Sequence, residues 1–337
     1  MHDVLEKTYR CLELAALGLG KTGNEPMNAW VWTNDQGKIF SEGWLPNISL
    51  FSKVMQNTIV EKPDSENQLF LCQINNSIDE FLSLLKQHRV KQVFAAAPVD
   101  QKVIGVLEKN NISLTDCVLT KEEAILNRRF YCYQSQKRPY LILKWAETAD
   151  GFIARKNHDS KWISNPLSRR LVHKWRSEEA AIMVGTNTAQ FDNPRLNVRS
   201  WSGNNPLRIV IDKNLRLDNN LHLFDESQPT ICYNMLKDEK RPNTEWIKIS
   251  ENDSLSFFQA ILHDLYRRHV CSLFIEGGTR LLNFLFEHQL WDEARVFKAP
   301  VRFGEGIPAP RITNAHSIAH IKIKTDRLTV YQKLNRK

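Results

Sequence analysis

A polar segment without hydrophobic periodicity, Gln134-Ser-Gln-Lys-Arg-Pro139, separates two runs in which apolar strands alternate with amphipathic helices. Alternation of that kind limits each run to an α/β layer architecture, and 337 residues suffice for two such cores. Domains are therefore expected over 1–136 and 138–337. In the first, a helix over Leu5–Leu19 is closed by Gly18 and Gly20, and Ala29–Thr33 and Lys38–Ser41 flank the hairpin turn Asn34-Asp-Gln-Gly37. Strands at Gln68–Cys72, Val90–Ala97 and Ile112–Leu119 then alternate with helices at Ile78–Gln87 and Gln101–Lys109. In the second, strands at Tyr140–Ala146, Ala180–Gly185, Leu207–Asp212, Thr230–Tyr233 and Cys271–Ile275 are expected. Helices lie between them: from the Asn165-Pro166 cap to about Glu179, over Ser256–Arg268, and over Arg280–His288 after the last of these strands. Strands near Ala294–Phe297 and Leu328–Tyr331 close the domain as an antiparallel pair.

Composition excludes several classes of function. No stretch approaches the ~18 uninterrupted apolar residues that cross a bilayer. Met1-His-Asp-Val-Leu-Glu-Lys7 has neither the basic start nor the apolar run of a signal peptide, so a cytoplasmic protein without membrane partners is expected. Cys11, Cys72, Cys117, Cys132, Cys232 and Cys271 lie far apart with no CxxC spacing, and read as packed thiols. The net charge of +8 is spread along the chain, with no basic run interleaved with aromatics. It fits a small polyphosphorylated ligand better than nucleic acid.

Four clusters carry groups that chemistry needs. In Phe274-Ile-Glu-Gly-Gly-Thr-Arg280 a buried strand ends at Glu276, and two glycines lead into a helix opened by Thr279. Backbone N–H groups there can approach an anion, and the helix start adds partial positive charge, as a cofactor pyrophosphate requires. The GxGxxG fingerprint is absent, and a plain tight turn has the same spacing. Ser160-Lys-Trp-Ile-Ser164 leads into a helix whose Arg169, His173 and Arg176 share one face, either to grip a phosphate or as a solvated basic surface. Val184-Gly-Thr-Asn-Thr188 and Asp192-Asn-Pro-Arg-Leu-Asn-Val-Arg199 run from a strand into a polar loop with one carboxylate and two arginines, where binding groups gather. Lys144, inside an apolar strand and near Asp150, either enters a polar cleft or faces solvent, because an unpaired buried ammonium is costly.

Taken in order, Arg138-Pro-Tyr-Leu-Ile-Leu-Lys-Trp-Ala146, Asp150-Gly151, Ser160-Lys-Trp162, Val184–Thr188, Asp192–Leu196, Ile209-Val-Ile-Asp212 and Glu276-Gly-Gly278 resemble the reductase domain of the bifunctional riboflavin-biosynthesis deaminase–reductase family. That domain has a dihydrofolate-reductase-like fold. The resemblance implies an oxidoreductase that reduces the ribosyl group of 5-amino-6-(5-phosphoribosylamino)uracil to a ribityl chain with NADPH. It implies Ala146, Trp162, Thr188, Asp192, Gly278 and Thr279 on the cofactor side, and Ser160, Arg176, Leu196, Arg199 and Glu276 on the substrate side. Lys144 and Asp192 are candidates for protonating the ring-opened imine, and Lys213 for meeting the 2′-phosphate of NADPH. One departure is Thr148-Ala-Asp-Gly151, where the family usually has Ser-Leu-Asp-Gly.

The front half resembles the same family's cytidine-deaminase-like α/β/α domain through Leu17–Met27, Ser41-Glu-Gly-Trp44 and Ala124–Phe130. Where the family has its zinc-binding His-Ala-Glu, this chain reads Phe51-Ser-Lys53, and Cys72 has no second cysteine nearby. The substrate-side Asn-Pro-Met-Val-Gly has become Glu25-Pro-Met-Asn-Ala29. A phenyl ring cannot ligate zinc and an ammonium cannot serve as the carboxylate base. No zinc, no other metal and no deaminase activity are therefore expected; the domain would brace the reductase, support a homodimer or bind a ligand. Competing readings are a nucleotide-binding pseudoenzyme or scaffold, and a reductase acting on another pyrimidine or a pterin.

Overall fold

The computed structural model describes residues 2–45, 66–74, 78–159 and 163–334. It divides into two compact units, Met1–Tyr131 and Cys132–Lys337.

The first unit contains α1 (His2–Ala16), β1 (Asn28–Asn34), β2 (Ile39–Leu45), β3 (Asn67–Leu71), α2 (Ile78–Gln87), β4 (Val90–Ala95), α3 (Gln101–Lys109), β5 (Ser113–Thr115) and α4 (Thr120–Leu126). Its sheet runs β2-β1-β3-β4-β5, with β1 antiparallel to both neighbours and β3, β4 and β5 mutually parallel. Side chains alternate across the sheet as the period of two requires. Trp30, Trp32, Leu69 and Leu71 share a core with Leu84, Leu85 and Leu107 of α2 and α3. Ala29, Val31, Phe70 and Cys72 pack with Cys11, Leu12 and Ala15 of α1 on the other face. The strand expected over Ile112–Leu119 is cut to Ser113–Thr115, because Cys117 turns into a left-handed conformation. Cys72 is a core residue, and burial pushes its thiol well above its ordinary value. Phe51, Ser52 and Lys53 lie outside the described residues.

Of the polar segment expected to be a linker, Gln134–Gln136 are the end of a helix, α5 (Arg128–Gln136), and only residues 137–139 connect it to the next strand; the division between units falls within that helix. Composition misled here because two residues anchor the turn: Cys132 and Tyr133 are buried, and the Tyr133 hydroxyl donates to the Tyr266 carbonyl at 3.0 Å.

The second unit continues with β6 (Tyr140–Glu147), β7 (Phe152–Ala154), α6 (Pro166–Glu178), β8 (Ala181–Gly185), α7 (Thr186–Asp192), β9 (Leu207–Ile211), β10 (Thr230–Asn234), β11 (Glu239–Lys240) and β12 (Thr244–Lys248). It ends with α8 (Ser254–Arg267), β13 (Ser272–Glu276), α9 (Thr279–Glu287), β14 (Glu293–Lys298), β15 (Ile307–Pro308), β16 (Ala315–Ile323) and β17 (Asp326–Lys333). One sheet has the order β11-β12-β10-β9-β8-β13-β6-β14-β17-β16, parallel from β12 to β14 and antiparallel at both edges. Leu141, Leu143 and Trp145 of β6 pack with α8 and α9, while Tyr140 and Ile142 pack with α6. Lys144 keeps that alternation and lies on the α6 side, directly beside Glu276 in the parallel register of β6 and β13.

The cap foreseen at Asn165 holds. Its Oδ1 accepts from the N–H groups of Leu167 and Ser168, and its own N–H donates to Asp326 at 2.8 Å. Asn165→Ala is expected to lower unfolding free energy by about 1–2 kcal/mol, seen as a lower urea midpoint at unchanged slope.

Candidate functional site

Four parallel strands deliver the site. Strand β13 sits between β6 and β8, where the chain's strand order reverses, and ligands gather at the carboxyl ends of strands around such a crossing. The ends of β6, β8, β9 and β13 open on a cavity of about 930 Å³.

At its centre is Glu276, the last residue of β13. Its Oε1 accepts from Arg176 Nε at 2.7 Å, and its Oε2 lies 3.7 Å from Lys144 Nζ. Burial alone would raise this carboxyl, but Arg176 and Lys144 outweigh it and hold the group down at about 2. Burial also pushes Lys144 below its ordinary value; Glu276 opposes that shift, Arg176 adds to it and Asp192 opposes it. The Lys144 ammonium thus enters the cleft rather than solvent.

Helix α6 brings both Arg176 and His173 to the cavity. Arg176 also donates to the Asn197 carbonyl at 3.2 Å, and His173 Nδ1 lies 2.9 Å from the same oxygen. Arg199 donates to the Asn197 side chain at 3.2 Å. Its guanidinium is destabilised by burial and by the charges of Arg176 and Arg195. Arg176 and His173 therefore converge on the loop between α7 and β9, which itself carries Arg199.

The other end of the cavity is built for an anion. Gly277 and Gly278 precede α9, whose first turn has no side-chain cap. A Cβ on Gly278 would stand 3.5 Å from Thr188 Oγ1, filling the space between them. The Gly278 N–H donates to that oxygen at 3.2 Å, and Thr186 Oγ1 ties α7 to the end of β9 through the Ile211 carbonyl at 2.6 Å. Beyond β9, Asp212 turns inward to accept from the Leu217 N–H at 2.9 Å, so the loop presents Lys213, Asn214 and Arg216 to the cavity. Lys213 Nζ lies 3.1 Å from Ser254 Oγ and 4.6 Å from the centre of the Phe257 ring.

Among the residues expected from sequence, Lys144, Ala146, Arg176, Thr188, Asp192, Arg199, Lys213, Glu276, Gly278 and Thr279 all line this one cavity. Leu196 does not: its side chain is in the core beneath, on a left-handed backbone. Ser160 and Trp162 lie outside the described residues. The segment expected as a polar loop after β8 is a helix as far as Asp192. Asp150 is not Lys144's partner; it accepts from Thr148 and from the N–H groups of Phe303 and Gly304, and shapes the turn after β6. Sequence reading missed Arg216, Asn214 and the stacked pair His158–Phe191, whose ring centres are 3.9 Å apart at the cavity wall. A basic residue three positions past Lys213 was a legible signal for the first; nothing local announced the stack.

Seven cationic side chains line the cavity (Lys144, Arg169, Arg176, Arg199, Lys213, Arg216, Arg280) against two carboxylates, Asp192 and Glu276, among the described residues. That balance selects a polyanionic occupant. No group of three or more potential metal ligands occurs among the described residues, and no helix there is long and apolar enough to cross a membrane.

Comparison with known proteins covers the same ground. The family described as the RibD C-terminal domain matches residues 139–333. The riboflavin biosynthesis protein RibD of Aquifex aeolicus is 33% identical over 209 residues, 61% of this chain and 59% of that protein. The chain thus spans less than two-thirds of that relative's length. A 2,5-diamino-6-ribosylamino-4(3H)-pyrimidinone 5′-phosphate reductase of Archaeoglobus fulgidus is 30% identical over 195 residues, 53% of this chain and 88% of that protein. The crystal structure of a diaminohydroxyphosphoribosylaminopyrimidine deaminase/5-amino-6-(5-phosphoribosylamino)uracil reductase from Thermotoga maritima shares the fold. It has a TM-score of 0.84 at 24% identity and covers 98% of this chain and 99% of its own.

Proposed function

The chain belongs to the RibD C-terminal domain family, and on that premise we propose that it is an enzyme of riboflavin biosynthesis. It reduces the ribosyl group of 5-amino-6-(5-phosphoribosylamino)uracil to the ribityl product with NADPH. The observation that carries this reading is Glu276, fixed between Lys144 and Arg176 at the end of β13 in a cavity lined mainly by cations.

The residues present fit the cofactor. The uncapped start of α9, bare of side chains at Gly277 and Gly278, suits a pyrophosphate. Ala146, Thr188, Asp192 and Thr279 belong to the same side, with Trp162, outside the described residues, assigned there by its motif. Lys213 meets the 2′-phosphate, where an acidic residue would instead select the free hydroxyl of NADH. Lys213→Ala is expected to cut the NADPH-over-NADH preference in kcat/KM about tenfold, the loss of one charge-assisted contact. An unchanged preference removes the assignment.

NADPH held there would supply the hydride that C1′ of the ring-opened imine takes up, so the chain's own work is orientation and one proton. Lys144 delivers that proton to the imine nitrogen, while Glu276 and Asp192 favour its charged form. Arg199 and Arg176 face the substrate's phosphate, with Ser160 assigned to the same side by its motif. Leu196 serves only as a buried wedge that shapes the loop carrying Asn197 and Arg199.

For the front unit we infer neither zinc nor deamination, since Phe51 offers no ligand, Lys53 no carboxylate base, and the Cys72 thiol is held protonated in the core. Metal analysis of the purified protein is expected to find zinc far below one equivalent per chain; a value near one overturns this. The decisive assay is NADPH oxidation with the deaminated aminouracil phosphate and, separately, the undeaminated diaminopyrimidine. Turnover of only the former is expected. A specific observation keeps the reverse in view: the front unit has lost the deaminase motifs, and the archaeal relative is named for the undeaminated compound. Faster turnover of the undeaminated compound would transfer the assignment to it, and no turnover of either would leave a nucleotide-binding scaffold.

A further inference from the structure

Among the titratable groups on the cavity wall that the reaction as described does not use is a histidine. His173 is 5% exposed, lines the cavity from α6, and stands three residues before Arg176. Its Nδ1 faces the Asn197 carbonyl oxygen at 2.9 Å. A carbonyl oxygen only accepts, so Nδ1 must carry the hydrogen, and in the neutral ring Nε2 is then left as a bare acceptor. Nε2 makes no hydrogen bond among the described residues, yet it is not sealed off as a buried orphan. The charged groups around the ring favour this state: Arg176 and Arg199 oppose a further positive charge, and Glu276 is already committed to Arg176 and Lys144. Burial, with those two arginines, holds His173 down at about 4, so the ring stays neutral through the physiological range.

An acceptor is scarce in this cavity. Lysines and arginines only donate, and they outnumber the two carboxylates on its walls. A phosphate and a pyrophosphate need donors, which the cations provide. The hydroxyls of a sugar need an acceptor, and the acceptor nearest the arginines must meet the part of the substrate nearest its phosphate. We propose that His173 is a further substrate-binding residue, whose Nε2 accepts a hydrogen bond from a hydroxyl of the phosphorylated sugar while Nδ1 holds the Asn197 loop. This rests on the phosphoribosyl reading of the site and adds to it the group that recognises the sugar itself.

The test separates sugar from phosphate. Binding of ribose 5-phosphate and of inorganic phosphate to the full-length protein is measured for wild type, His173→Asn and His173→Leu. Asparagine places an N–H near the Nδ1 position and nothing near Nε2, so it preserves the loop contact and deletes the acceptor. Ribose 5-phosphate affinity is expected to fall about 5- to 10-fold in both variants, the usual scale for one hydrogen bond, with phosphate affinity unchanged. In ¹⁵N-histidine NMR of wild type, the His173 Nε2 signal is expected to start in the unprotonated range and to move upfield with ribose 5-phosphate but not with phosphate. The inference is overturned by wild-type affinity in His173→Asn, by equal loss of phosphate binding in both variants, or by an Nε2 that is protonated or unmoved. These readouts need no turnover, so failure to reduce any aminouracil phosphate would sink the proposed activity and leave this result standing or falling separately.

Discussion

Glu276→Gln is expected to lower kcat/KM for NADPH-dependent reduction by about two to three orders of magnitude, equivalent to roughly 3–4 kcal/mol, in a protein that still folds. The substitution is isosteric and removes only charge, so what is lost is the anion that lets Lys144 and Arg176 share a buried site. Removing one partner of a buried pair is costly because the remaining charge has no compensation. Lys144 would then deprotonate still more readily, since Glu276 is the main influence that keeps its ammonium charged. A second readout follows from the sign of the shift. Glu276 titrates at about 2 in the fold against an ordinary 4.5. Its contribution to stability is therefore complete above about 4.5 and lost as the pH falls towards 2. Denaturation midpoints of wild type should decline across that window more steeply than those of Glu276→Gln; parallel pH profiles would show that the carboxylate is not held as the geometry indicates.

What the sequence disclosed depends on how local each cause is. The Asn165 cap, the glycine turn before α9 and the apolar strand β6 are set by neighbours in the chain, and each is found where its pattern puts it. The partner of Lys144 was not legible, because Glu276 lies in a strand that returns between β6 and β8 after more than a hundred residues. Sequence proximity instead suggested Asp150, which turns the other way to hold the 303–304 backbone. The expected linker is shortened for the opposite reason: its first half, Gln134–Gln136, continues as helix because Cys132 and Tyr133 are buried, which composition does not reveal. Leu196 shows a third case. Its motif marks the site, yet the side chain itself packs inside and only the loop around it faces the cavity.

Lys144→Met should leave the affinity for NADPH within about twofold of wild type while kcat falls by about 10²- to 10⁴-fold, the range spanned by general acid catalysis. Methionine matches the length of the lysine stem and sits comfortably beside Ile142 and Ala146, so the fold has little reason to change. Arg176 still pairs with Glu276 in the variant, which keeps the carboxylate from becoming an isolated buried charge. Only the transferable proton is gone. The pH dependence carries the sharper distinction. Burial lowers the Lys144 pKa, and a proton donor works only below its pKa, so wild-type kcat should fall on the alkaline side before an ordinary lysine would titrate. In Lys144→Met that alkaline limb should vanish, leaving a low and flat rate. Lys144→Arg is expected to keep the charge without restoring the rate, because a guanidinium does not release its proton in this range. A Lys144→Met variant with an unchanged alkaline limb would move the proton donor elsewhere, with Asp192 the remaining acidic side chain on the cavity wall besides Glu276 among the described residues.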